Sequence, residues 1–191
     1  TRRDWPDPAS AWRTNQIYLA HAALTDLSAE RHVMAERVRR EALGMAGVVT
    51  DAKGTRIFLN EWETVISPAA HTLRMTDENF ELSLTLAPTK GPIPHGIDGY
   101  SRKGNLPEQA SCYYSFPRMA ANGRVRIAEK NFVVTGEGWM DHEFSTAPLA
   151  ERVTGWDWFS IQLDDQRELM IYLLRLETGG LHPASSGTLI G

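Results

Sequence analysis

The sequence holds a single cysteine, Cys112, in 191 residues. That excludes an intrachain disulfide framework and a zinc site built from several cysteines. No apolar run approaches the roughly 20 residues that a membrane-spanning helix needs. Neither lysine nor arginine forms a long run, and 20 basic against 24 acidic side chains leave a formal net charge of -4. This balance argues against a dedicated binder of nucleic acid or of an anionic membrane. No G-x-G-x-x-G and no P-loop occurs, so a nucleotide cofactor has no support and no cofactor is expected. No G-x-S-x-G occurs either, hence no nucleophile elbow. His142-Glu143 lacks a second histidine four positions after the first, so the zinc-protease signature is missing.

What is present reads as a folded chain. Hydrophobic residues make up 42% and charged residues 23%, the composition of a globular protein of one domain or slightly more. The dominant period is two. Phe80, Leu82, Leu84 and Leu86 alternate with Glu81, Ser83 and Thr85, which puts the apolar set on one face of a strand. Comparable stretches cover residues 16–25, 56–63, 71–75, 111–116, 124–127, 131–139, 157–163 and 168–176. Turn signals separate several of them at 51–54, 76–79, 121–123 and 164–167. About nine short strands joined by hairpins predict a mainly antiparallel sandwich or barrel.

Two segments are harder to place. Residues 28–46 are rich in helix formers, yet 31–39 also alternates; we read 31–39 as a strand and 41–45 as a short helix. Residues 88–107 contain four prolines and four glycines, too long for an ordinary connection and therefore a candidate lid. Both chain ends read as interior points of a longer chain.

The densest chemistry lies in Trp139-Met140-Asp141-His142-Glu143, with Trp156 and Trp158 shortly after. If 131–141 stays extended, Trp139 and Asp141 share a face and His142 points to the other. A carboxyl beside indole rings is poorly solvated, which favours its protonated form, as a general acid requires. Indole faces also stabilise a developing cation. The bland reading of the same charges is the exit of an apolar strand into solvent. Asp141, His142 and Glu143 are consecutive and cannot converge on one metal from a regular strand; only the fold could gather His21, His95 and His142, and no metal site is assigned. His21 reads either as a core histidine or as a pocket residue. Tyr113 and Tyr114 face opposite ways, so one is expected to be buried. Cys112 reads as an inert thiol. Residues 156–163 are substantially apolar on both faces, which points to packing against another domain or subunit.

Tyr113-Tyr114-Ser115, the run Gly136-Glu137-Gly138-Trp139-Met140-Asp141-His142-Glu143-Phe144-Ser145-Thr146, the run from Gly155 through Trp156-Asp157-Trp158-Phe159 to Asp165, and Ser185-Ser186-Gly187-Thr188-Leu189-Ile190 resemble the AttH-type "predicted secreted hydrolase" family, related to carotenoid 1,2-hydratases. The resemblance implies an all-β fold, a calycin (lipocalin-like) antiparallel β-barrel, truncated at both ends of the visible chain. On that pattern, residues 1–184 are a first lipocalin-like barrel domain lacking its N-terminal strand, and 185–191 begin a linker or second lipocalin-like domain. It further implies an apolar small molecule as ligand, lipid- or isoprenoid-like, and a periplasmic or secreted location. The second domain of the same chain is the implied partner; nucleic acid is not, and there is room for peripheral membrane contact.

In the hydratase branch an aspartate of the Asp-His motif, two positions after an aromatic, is the proton donor. This carries onto Asp141 and Trp139. The pocket positions of the Tyr-Tyr strand map near Cys112 and Tyr114, with Cys112 in the place of a hydratase-branch histidine. The expected catalytic residues are thus Asp141, His142 and Tyr114, the last two orienting water or the acid. The expected substrate-binding residues are Trp139, Trp156, Trp158, Cys112 and His21. The alternative is a non-catalytic lipid or isoprenoid carrier, in which Asp141 caps the pocket or pairs with Arg118 or Arg102.

Overall fold

The computed structural model describes residues 14–146 and 149–191; the start of the chain lies outside them. The described chain is all-β, with fourteen antiparallel strands, and divides into two compact units. Unit 1 comprises residues up to 87 together with 121–136; unit 2 comprises 88–120 and 137–191.

In unit 1, β1 (Ile17–Asp26) and β2 (Arg31–Arg40) form a fully paired hairpin, Ile17 opposite Arg40 and Asp26 opposite Arg31. Asp26 Oδ1 closes its turn by accepting from the backbone N–H of Ser28 and Ala29, the local bonding that favours Asp at turns. The strand expected at 31–39 is therefore present. The helix expected at 41–45 is a turn, because Leu43 and Gly44 both adopt left-handed φ values of 53° and 69°. A meander follows: β3 (Ala46–Asp51), β4 (Gly54–Leu59), β5 (Trp62–Ile66), β6 (His71–Thr76) and β7 (Phe80–Pro88). β3 escaped the period-two reading. The single strand expected at 56–63 is two strands, since Asn60 with φ 53° turns the chain so that Leu59 faces Trp62. The core holds Trp62, Phe80, Leu82 and Ala22, so the alternation at 80–86 does face the interior. Trp62 donates its indole N–H to the Thr76 carbonyl at 2.8 Å, satisfying its one polar atom.

Unit 2 is built on β10 (Ala110–Ile127) and β11 (Lys130–Phe144), whose tips at 121–136 belong to unit 1. The turn expected at 121–123 is continuous strand. An added Cβ on Gly123 would lie 2.1 Å from the Ser83 carbonyl oxygen, so this glycine serves close approach between strands. Short strands β8 (Ile93–Pro94) and β9 (Tyr100–Arg102) pair with β10. Between them Asp98 and Gly99, with φ 51° and 89°, make a two-residue hairpin whose flanking Ile97 and Tyr100 exchange backbone hydrogen bonds, the conformation an Asp-Gly pair favours. The segment 88–107, expected as a lid, is thus fastened to β10 at two places.

β12 (Val153–Gln162), β13 (Glu168–Leu176) and β14 (Ser186–Ile190) form a three-stranded sheet. Residues 185–191 lie in unit 2, with β14 paired along β13. The core is Tyr113, Met170, Tyr172 and Leu174, with Trp139 and Val153 packed against it.

Candidate functional site

Alternation along β10 and β11 decides which side chains meet. On one face, β10 presents Ser111, Tyr113 and Ser115, and β11 presents Trp139, Asp141 and Glu143. Asp141 Oδ1 accepts three hydrogen bonds: from Tyr113 Oη at 2.8 Å, Ser115 Oγ at 2.5 Å and Trp139 Nε1 at 3.0 Å. Its Oδ2 takes part in none of the described hydrogen bonds. Trp158 Nε1 donates to Tyr113 Oη at 3.0 Å, and the Trp158 ring meets Trp139 edge-on, centroids 6.3 Å apart. Trp139 and Asp141 thus share a face, as an extended strand requires, and Trp158 reaches the cluster through Tyr113.

Behind this cluster stands His95, 1% exposed. Its Nε2 lies 2.7 Å from Ser115 Oγ, its Nδ1 2.9 Å from Thr188 Oγ1, and its ring 4.3 Å from that of Tyr113. Ser115 has one proton and gives it to Asp141. Its oxygen is then the acceptor toward His95, which puts the imidazole proton on Nε2 and leaves Nδ1 to accept from Thr188. Burial pushes the His95 imidazole down, against the opposing pull of Asp141, and keeps it neutral. Burial, reinforced by the bond to Asp141, pushes the Tyr113 hydroxyl well above its ordinary range. Tyr113 is thus a standing donor.

A second polar group adjoins the first. Glu143 Oε1 accepts from Ser111 Oγ at 2.5 Å and from Lys103 Nζ at 3.0 Å. Burial pushes the Lys103 ammonium down and its bond to Glu143 opposes this. Lys103, Ser111, Tyr113 and Glu143 line a cleft of about 300 Å³ whose apolar wall includes Trp156 and Trp158. Tyr113 and Trp158 thus belong both to the cleft and to the Asp141 cluster.

Asp141 is exposed. The other expected catalytic residues lie away from it. Tyr114, His142 and Cys112 lie on the opposite face of the β10–β11 ribbon, because they are odd steps from Tyr113 and Asp141. There Tyr114 Oη lies 2.9 Å from His142 Nδ1, and Cys112 is exposed. Tyr113, not Tyr114, reaches Asp141. His21 is an exposed residue of unit 1 whose Nε2 lies 2.7 Å from Glu36 Oε2. Arg118 binds Glu168 and Glu137, and Arg102 binds the carbonyls of Gly104 and Asn105; neither pairs with Asp141. A histidine does sit against the Tyr113-Tyr114 strand, and it is His95. Among the described residues no three His, Cys, Asp or Glu side chains gather as a metal site.

The sequence reading missed Tyr113, Ser115, His95, Lys103 and Glu143 as members of the site. Period two could have supplied Glu143, two positions from Asp141, and Ser115 once Tyr113 was taken as the inward tyrosine. Nothing local marks His95 or Lys103, which arrive from the segment paired to β10.

The fold is all-β and antiparallel, and it is of the lipocalin-like kind by its likeness to the solved structures that follow. The model of the AttH-like family matches residues 2–191, and the chain belongs to that family. An AttH protein from Nitrosomonas europaea is similar in structure, with a TM-score of 0.78 and 27% identity over 91% of this chain and 56% of that one. Kievitone hydratase from Nectria haematococca shares the fold, with a TM-score of 0.62 and 11% identity over 90% of this chain and 54% of that one. The chain thus spans about half the length of these solved relatives. No curated protein sequence matches it.

Proposed function

We propose that this chain carries the acid of an enzyme site that hydrates or hydrolyses an apolar, lipid- or isoprenoid-like substrate, with Asp141 as proton donor. The observation that supports it is the convergence of three donors on Asp141 Oδ1, beside paired indoles, with Oδ2 left uncommitted. Such a shell fixes the carboxyl so that one oxygen can be aimed at a substrate. In the hydration form, the Oδ2 proton passes to one carbon of a double bond as the π pair forms the new C–H bond. The adjacent carbon becomes cationic beside the faces of Trp139 and Trp158. Water adds through its oxygen and releases a proton to solvent, from which Asp141 is reprotonated. The three donors stabilise the carboxylate left after the first step.

A nucleophilic role for Ser115 is disfavoured despite its short distance to His95 Nε2. Ser115 is fully buried, so its oxygen is not presented to a ligand. Export and a second lipocalin-like domain remain part of the proposal through the family resemblance.

The test is incubation with acyclic carotenoid and isoprenoid-alcohol probes in heavy-oxygen water. The expected result is isotope incorporation by the wild type and none by Asp141→Asn. Tight retention of an intact lipid, with no incorporation from any probe, would favour the carrier reading and overturn this one.

A further inference from the structure

We propose that the Lys103–Glu143 pair makes its end of the cleft a selector for amphiphiles with an uncharged hydroxyl head and against those with a carboxylate head. The inference rests on the proposed lipid- or isoprenoid-like substrate, whose chain is here placed in the cleft that adjoins the Asp141 cluster through Tyr113 and Trp158, and adds the chemistry of the ligand's polar end.

Three observations carry it. Glu143 receives both its donors, Ser111 and Lys103, on Oε1. Oε2 makes none of the described hydrogen bonds, while the Glu143 side chain is 41% exposed and lines the cleft. Lys103, by contrast, is committed. Its side chain is only 15% exposed, and Nζ lies 3.0 Å from Glu143, 3.6 Å above the Tyr172 ring and 5.1 Å from the Tyr113 ring centre. The rings hold the cation by their faces, and little of it is left for a ligand. Finally, the lining also includes the apolar side chains of Leu149, Trp156, Trp158 and Leu174.

A ligand in this cleft therefore meets an acceptor oxygen at its polar end, not an available cation. A hydroxyl donates to Oε2 and gains a charge-assisted hydrogen bond. A carboxylate there would place negative oxygen against negative oxygen with no proton between them, which costs binding. Glu143 is matched by Lys103, so the pair adds no net charge that would draw ions of either sign. The cleft volume lies at the lower end of the roughly 300–1,000 Å³ of small-molecule sites, which suits one short isoprenoid chain. Desolvation of Lys103 agrees with an ammonium held for its carboxylate partner rather than for solvent.

The probes are farnesol and farnesoate, titrated against the tryptophan fluorescence of the protein at neutral pH. We expect the wild type to bind farnesol at least about tenfold more tightly than farnesoate, the equivalent of about 1.4 kcal/mol. Glu143→Gln removes the repelling charge and frees Lys103, so farnesoate should come to match or exceed farnesol. Lys103→Gln leaves Glu143 unmatched, so the preference for farnesol should widen. A general loss of folding cannot move the two variants in opposite directions. Equal wild-type binding of the two probes, an unchanged preference in Glu143→Gln, or no binding of either probe would overturn the proposal. Isotope incorporation by the wild type is read separately. Turnover without head-group preference would sink this inference alone, whereas preference without turnover would sink the catalytic reading alone.

Discussion

Unit 2 contains two kinds of carboxylate. Glu168, fully buried, divides its donors between its oxygens: Arg118 Nε binds Oε1 at 2.6 Å and Lys90 Nζ binds Oε2 at 2.9 Å. Arg118 in turn reaches Glu137 and the Leu163 carbonyl. Asp141 and Glu143 instead gather every donor on one oxygen and leave the other bare. Both arrangements hold a side chain in place. Only the second leaves a lone pair, or a proton, for something that is not protein. Removing a buried charge from water demands that all of it be matched, and Glu168 meets that demand. The half-matched pair on β11 is tolerable because that strand end is exposed.

Substitutions that exchange these roles test the contrast. The largest effect expected is in Asp141→Asn, where turnover of a responsive probe should fall at least about a hundredfold, the lower range for loss of a general acid, with probe affinity kept within a few-fold. Glu168→Ala should leave that affinity unchanged. It strands Arg118 and Lys90, and calorimetry should show a melting temperature lower by about 5–10 °C. If Glu168→Ala instead abolished turnover without destabilising the fold, the division into structural and site carboxylates would fail. Tyr113→Phe should be milder. It takes away one of three donors to Asp141 and the acceptor of Trp158, so kcat should drop about tenfold with KM little changed.

The smallest effect should be a pH dependence of stability. Burial lowers the native pKa of His95 from an ordinary 6.5, so the folded state resists the proton that the unfolded chain accepts. Stability is complete above that ordinary value and declines as pH falls through it toward the lowered native one. His71 of unit 1, lowered by burial as well, adds with the same sign. Burial raises Glu168, but bonds from Arg118 and Lys90 outweigh it and leave its native pKa below the ordinary 4.5; it contributes a further loss in more acidic solution. Urea unfolding at neutral and mildly acid pH should show the first decline, and His95→Gln should reduce it.

The face assignments of this site were legible because alternation is local. Residues 139 and 141 had to share a side, and His142 had to lie on the other. The same rule excluded Tyr114 as soon as Tyr113 was seen to be the inward residue, but that choice depends on which face of β10 is covered. Strand ends were harder. Asn60 and Gly123 look alike as turn formers, yet the first turns the chain and the second lets two strands approach. Leu43 in a left-handed conformation could not be foreseen from good helix formers around it. His95 was unreadable for a different reason: its partners are 20 and 93 residues away, and no periodicity spans that distance.

That last separation has a consequence for the order of assembly during synthesis. The three donors to Asp141 come from 2, 26 and 28 residues upstream, so the β10–β11 ribbon can orient the carboxylate as soon as it has emerged from the ribosome. Thr188, which anchors the far side of the His95 ring, is made 47 residues after Asp141, once β12 and β13 have been completed. Contacts of such span form late because their loop must first be closed. The site is therefore built in two stages, an early local shell around the acid and a late bolt through the imidazole. A nascent chain halted before β14 would present the first without the second.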